Sequence, residues 1–130
     1  MAKGSRSSYA QLMATVPTGE IFAFRVLLMK EGRHWVAQCL EKDLAAQGRT
    51  IGEAQTAFVR TLIGQIVVDL QHKHRPFANL NRAPEVYEEM WSKGARLSDA
   101  PRITIPDEIR SQLPPAFMVD SLVREMRVGG

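Results

Sequence analysis

The stretch from Thr50 to Leu70, TIGEAQTAFVRTLIGQIVVDL, restricts the possible folds of this chain more than any other. Thr50 is placed to cap the first turn through its hydroxyl while Glu53 reaches back to the Thr50 amide, the reciprocal arrangement of a capping box. From that start Ala54, Phe58, Leu62 and Ile66 recur every fourth residue along one side, and Val59, Ile63, Val67 and Leu70 form a second apolar line beside them. A helix lying on one sheet needs a single apolar stripe. The second stripe has to meet another part of the chain, a second copy or a partner, and Val59, Ile63 and Val67 are the expected dimer contacts.

The sheet that this helix would cover precedes it. In Glu20 to Lys30, EIFAFRVLLMK, Phe22, Phe24, Val26 and Leu28 share one face of a strand, and Ile21, Ala23, Leu27 and Met29 share the other, which Arg25 interrupts. Glu31-Gly32-Arg33 supplies a turn, and His34 to Leu40 forms a second strand with Trp35, Ala37 and Cys39 on one face, so the pair reads as a hairpin. Leu44 to Gln47 is too short for a helix between its flanks and reads as a third antiparallel strand ending at Gly48. Residues 1 to 19 lack the continuous apolar centre of a secretion signal and are expected to form a flexible arm, with one turn of helix at Tyr9 to Ala14.

After the long helix the basic run His72-Lys73-His74-Arg75 suits the carbonyl end of the helix dipole, and Pro76 is the expected stop. Pro84 in the first turn and Gly94 beyond the last bracket a short helix over Glu85 to Lys93. Its apolar face, Val86 or Tyr87 with Met90 and Trp91, suits a flap over the exposed stripe of the long helix. Arg102 to Ile105 reads as a brief extended piece, and Asp107 to Leu113 as a helical turn or two closed by Pro114-Pro115. Ala116 to Val128 carries two patterns at once: Phe117, Val119 and Ser121 alternate, while Met118, Leu122 and Met126 fall at helical spacing. The expectation there is a short helix leading into a closing strand at Arg124 to Val128.

Composition decides the broad class. A 130-residue chain fits one domain with a core of its own, and 45% apolar with 24% charged residues belongs to globular proteins rather than disordered or membrane ones. No stretch approaches the roughly 18 uninterrupted apolar residues of a membrane span. The formal charge of +3 is a mild excess that permits contact with nucleic acid without pointing to it. One cysteine, Cys39, cannot form an internal disulfide, which makes cytoplasm the default compartment. The expected architecture is α+β: a single domain over 20–130, a small, mainly antiparallel β-β-β-α sheet backed by one long helix, and a C-terminal extension from about residue 83.

The wording of one stretch goes further than its periodicity. WVAQCLEKDLAAQGRTIGEA, Trp35 to Ala54, closely resembles the strand-turn-strand-helix signature of the HicB-like antitoxin family: an aromatic-Val-Ala strand, an acidic loop, a Gln-Gly turn and a Thr-x-x-Glu-Ala helix start. The similarity extends over Phe24 to Leu70, a little over a third of the chain. It implies a partial RNase H-like domain, three antiparallel strands with a helix and a further strand. It also implies a partner, a small ribonuclease toxin of HicA type that the antitoxin binds and neutralises. Many members add a C-terminal helix-turn-helix or ribbon-helix-helix segment for operator DNA. Here the only ribbon-helix-helix candidate, Arg102 to Ile105, Asp107 to Leu113 and Ala116 to Val128, has a short first helix cut by two prolines.

The chemistry-bearing residues are sparse. A metal nuclease needs several carboxylates gathered on strand ends, and of Glu20, Glu31, Glu41 and Asp43 only the last two are neighbours, in what reads as a solvated turn. His72 and His74, two apart on a helix, would diverge, and Cys39 sits in an alternating apolar strand as a small apolar residue. No catalytic residue, metal or cofactor is therefore expected. Arg25, Lys30, Arg33, Lys73 and Arg75 would make a basic patch only if the helix end lay beside the hairpin, and no aromatic residues interleave them for base stacking. The expected function is protein binding as a homo-oligomer, dimer or tetramer, with the partner met by Arg25, Leu27, His34, Val36 and the large anchor Trp35. Two alternatives stay open: a regulator binding operator DNA through the C-terminal segment, and a solitary inhibitor of another nucleic-acid enzyme.

Overall fold

A computed structural model describes residues 21–96, 103–115 and 117–126. The expected arm over 1–19, with its turn at Tyr9 to Ala14, lies outside the described residues, as does the end of the chain from 127. Three strands come first, β1 (Ile21–Glu31), β2 (His34–Cys39) and β3 (Ala45–Gly48), followed by the long helix α1 (Ile51–Gln71). Then come α2 (Val86–Ser92), the two-residue β4 (Ala95–Arg96), α3 (Asp107–Arg110) and β5 (Met118–Met126). The class is α+β, and the strands form one mixed sheet in the order β3-β2-β1-β5-β4.

The β1–β2 hairpin turns through Gly32 at φ +62, a conformation open to glycine at no steric cost, and pairs Glu31 with His34 and Val26 with Cys39. β3 continues antiparallel on β2, Trp35 opposite Gly48. The pairing that local pattern did not anticipate is β1 with β5, which is parallel and in register from Ile21–Met118 to Met29–Met126. β1 therefore lies at the centre of the sheet, which explains why both its faces are apolar. The whole of Met118–Met126 is strand, so the expected short helix before a closing strand at 124–128 does not form. Phe117, Val119 and Val123 are buried while Met118, Asp120 and Leu122 are exposed, a period of two. A spacing of four is also an even number, so Met118, Leu122 and Met126 share a strand face as readily as a helix face.

Register assigns the faces. Phe24, Val26, Leu28, Ala37, Cys39, Val119 and Val123 belong to the α1 side, where they pack with Ala54, Phe58, Leu62 and Ile66. Burying each of Phe58, Leu62 and Ile66 contributes about 1.5–3 kcal/mol. Thr50 caps α1, its Oγ1 accepting the Glu53 N–H at 3.1 Å. The Glu53 carboxylate instead reaches one residue further back than expected and accepts the Arg49 N–H at 3.0 Å. That bond holds the Glu53 carboxyl below its usual value. Gly48 lets β3 approach this helix start, because a Cβ there would lie 2.6 Å from the Ala54 amide nitrogen and from Glu53 Cβ.

α1 ends at Gln71 before Pro76 is reached. Lys73 takes φ +61, its N–H donates to the Leu70 carbonyl and the His74 N–H to that of Asp69, a Schellman closure with lysine in the left-handed position. The chain then folds back so that the buried Phe77, at φ +67, sits between Phe22 and Phe24 with ring centroids 5.2 Å from each. Buried Asp69 fixes this return: its carboxylate accepts the Phe77 N–H at 2.7 Å and Gln65 Nε2 at 3.0 Å. Because the helix has already ended, His72 and His74 do not diverge as helical geometry would require, and their rings stack 6.0 Å apart at 25°.

Candidate interaction face

The sheet face turned away from α1 carries Ala23, Arg25, Leu27 and Met29 of β1, His34, Val36 and Gln38 of β2, Ala45 and Gln47 of β3, and Met118, Leu122 and Arg124 of β5. Its middle is covered by α2. Trp91 enters a small core with Leu27, Met29 and Leu40, and Val36, Tyr87, Met90 and Met126 pack around it. The expected flap is real but lies on the opposite side of the sheet from α1. The second stripe of α1 is met in part by the segment before α3: Val59 and Ile103 share the lining of a cavity of about 10 Å³ with Val26, Gln55 and Ser121. Val59, Ile63 and Val67 are all half-buried, and Val68 beside them is 46% exposed.

Arg25 organises the covered face. Its Nε donates to Glu41 Oε2 at 2.5 Å and its backbone N–H to Glu41 Oε1 at 2.7 Å. Its two terminal nitrogens donate to both oxygens of Glu88 on α2 at 2.8 and 2.7 Å, a bidentate clamp. Arg82 donates to the same Glu88 at 2.7 Å. The Glu88 bond, with Glu41 behind it, raises the Arg25 guanidinium above its ordinary value, and the Arg25 bond holds the Glu88 carboxyl below its own. Arg124 seals the other end of α2, donating to the Trp91 carbonyl at 2.8 Å with its guanidinium 4.7 Å from the indole centroid. Two backbone bonds, Asp43 N–H to Asn81 and Ala83 N–H to Leu40, join the acidic turn to the chain entering α2.

Glu41 is thus one arm of the clamp rather than a solvated turn residue, and Asp43 accepts Gln38 Nε2 at 3.0 Å. Cys39 is buried, and burial pushes its thiol up to about 11, in keeping with a small apolar role.

The five partner residues expected from sequence are not brought together. Arg25, Leu27, His34 and Val36 share the outer face, but Leu27 is fully buried under α2 and Arg25 is engaged by two carboxylates. Trp35 pairs with Lys30 and Gly48 on the α1 side, half-buried against the main core, and cannot anchor a ligand of the other face. His34 is exposed. The condition for a basic patch, a helix end beside the hairpin turn, is not met. Phe77 ties the loop carrying Lys73 and Arg75 to Phe22 at the start of β1, whereas Lys30 and Arg33 lie at its far end. The ribbon-helix-helix candidate is also absent as such, since α3 has four residues and 118–126 belongs to the sheet.

Glu88 and Arg124 were missed from sequence, and Trp91 was read as a flap residue over the long helix rather than as the filler of the Leu27, Met29 and Leu40 seat. The signal available was weak: a carboxylate and an aromatic three residues apart on a short amphipathic helix. No group of three or more His, Cys, Asp or Glu side chains suited to a metal occurs among the described residues. No protein-family model, curated protein or solved structure matches the chain.

Proposed function

We propose that this chain is a non-catalytic protein-binding module of antitoxin type that binds and neutralises a small ribonuclease toxin of HicA type. The observation that carries the reading is the order of elements around the resembling stretch: three antiparallel strands, a helix, and a further strand joining the same sheet. That is the plan the resemblance implies. Each part of the Trp35–Ala54 signature also has a physical task in this fold: the acidic loop holds Arg25, the Gln-Gly turn permits close approach to α1, and Thr50 with Glu53 starts the helix.

The binding surface in this reading is the outer face beside α2 together with the rim of β3. His34, Ala45 and Gln47 are exposed there, and β3 has β2 as its sole strand neighbour among the described residues. An edge strand of this kind accepts an extended segment by main-chain hydrogen bonds. The dimer contacts remain Val59, Ile63 and Val67, with Val68 added by its exposure.

The test is co-expression of the chain with the product of the adjacent reading frame, followed by RNA cleavage by that product with and without the purified chain. The expected result is a stable complex and stoichiometric loss of cleavage, weakened by Gln47→Pro, which disturbs the rim of β3. Absence of a complex with the neighbour and with a HicA-type ribonuclease used as probe overturns the proposal. Inhibition of a different nucleic-acid enzyme would replace it with the solitary-inhibitor reading.

A further inference from the structure

The helix α2 has the features of a ligand more than those of a framework element. It has seven residues, well under the roughly 12–15 at which a helix becomes marginally stable alone in water. Its N-cap, Glu85, makes no side-chain capping bond. Both of its ends are punctuated, by Pro84 before it and Gly94 after it. What orders it is the surface beneath. Glu88 inserts a carboxylate between Arg25 and Arg82, Trp91 one turn later fills the apolar seat of Leu27, Met29 and Leu40, and Arg124 closes over the indole.

This is the way a partner's amphipathic helix lies in a groove, with a charged and an aromatic anchor at i and i+3, here performed within one chain. The seat is built for such an occupant independently of α2. Arg25 is pre-oriented from below by Glu41, through both its backbone N–H and its Nε, so its two terminal nitrogens face outward as a fixed fork. The apolar half of the seat is the core of the face on which the proposed function places the partner.

We propose that α2 is a built-in competitor: it occupies in cis a seat that a partner protein fills with a short helix carrying a carboxylate three residues before an aromatic side chain. The proposal rests on the protein-binding reading and adds to it the chemistry of the partner and the regulation of access. In the free chain α2 shields Leu27, Met29 and Leu40 from water. In the complex it leaves, and the partner's helix takes over its two anchors.

Two measurements test it. The first uses hydrogen exchange on the intact wild-type chain. The amides of Met90 to Ser92 are expected to exchange at least a hundredfold faster than those of Phe58 to Ile66, because α2 opens without global unfolding. Exchange of both sets in one common event overturns the proposal.

The second uses the full chain carrying Glu88→Ala and Trp91→Ala, which empties both anchors, and a labelled synthetic peptide of residues 83–96 as the probe. The double variant is expected to bind the peptide at least tenfold more tightly than wild type, where the tethered α2 competes. A peptide carrying the same two substitutions is expected not to bind. Equal binding of both peptides, or none by a double variant that circular dichroism shows to be folded, overturns it. These outcomes are separable from those of the function test. A toxin complex in which α2 keeps its protection from exchange removes this inference and leaves the antitoxin reading standing.

Discussion

Asp69 is the residue whose removal tests the account of the fold most directly. Its two carboxylate oxygens accept the Phe77 N–H at 2.7 Å and Gln65 Nε2 at 3.0 Å, in a site where Asp69 itself is 4% exposed. In Asp69→Ala the Phe77 N–H becomes a buried donor without its acceptor, at a cost of about 1–3 kcal/mol. The ring of Phe77 is held against Phe22 and Phe24 by that same bond, and each edge-on aromatic contact is worth about 0.5–1.5 kcal/mol beyond its buried area. A partial loss of these contacts brings the expected total to about 2–3 kcal/mol, a large share of the 5–15 kcal/mol typical of a folded domain. With a urea m-value of about 1–3 kcal/mol/M this displaces the unfolding midpoint downward by about 0.7–3 M. Asp69→Asn is the control. Its Oδ1 still accepts the Phe77 N–H and the Gln65 amide can turn to face Nδ2, so its cost is expected to be under about half that of alanine. A midpoint displaced by less than about 0.5 M in Asp69→Ala, or an equal cost for both substitutions, would refute the view that this carboxylate holds the return after α1.

Glycine-to-alanine substitution is expected to have opposite signs at two positions, read by the same denaturation assay. Gly48→Ala drives a Cβ to 2.6 Å from the Ala54 backbone and costs about 1–3 kcal/mol, whereas Gly64→Ala, with nothing within 4 Å and a mid-helix location, stabilises by about 0.5–1 kcal/mol. Glu88 carries a pH dependence: its carboxyl lies below the ordinary 4.5, so its contribution is complete above that value and is lost as pH falls through the lower folded one. With the Glu88 side chain 39% exposed, solvent limits this to about 1 kcal/mol or less, and Glu88→Gln is expected to flatten thermal stability between pH 5 and pH 3 relative to wild type.

The outer face shows which parts of a site a sequence exposes. The alternation of β1 places Arg25, Leu27 and Met29 on one face without any knowledge of neighbours, and the register agrees. What alternation does not contain is the cover. Arg25 meets Glu41 sixteen positions away and Glu88 sixty-three positions away, and no periodicity spans such distances. Leu27 therefore reads as an open contact in the sequence and proves the most enclosed residue of that face. Trp35 was misplaced for a different reason: its face was legible from Ala37 and Cys39, but treating it as an anchor ignored that the same face carries the α1 core.

The chain's own sequence determined α1 and its cap, the two faces of β1 and the β-β-β-α order, because each depends on contacts within about one turn or one hairpin. Tertiary structure alone decided that Met118–Met126 is a strand, since its two periodicities are compatible and the tie is broken by parallel pairing with β1. It decided also that α2 lies on the far side of the sheet from α1, where Trp91 finds Leu27 and Glu88 finds Arg25. Elements follow from local spacing. The side of the sheet on which an element settles depends on which distant residues can satisfy its charge and bury its aromatic ring at once.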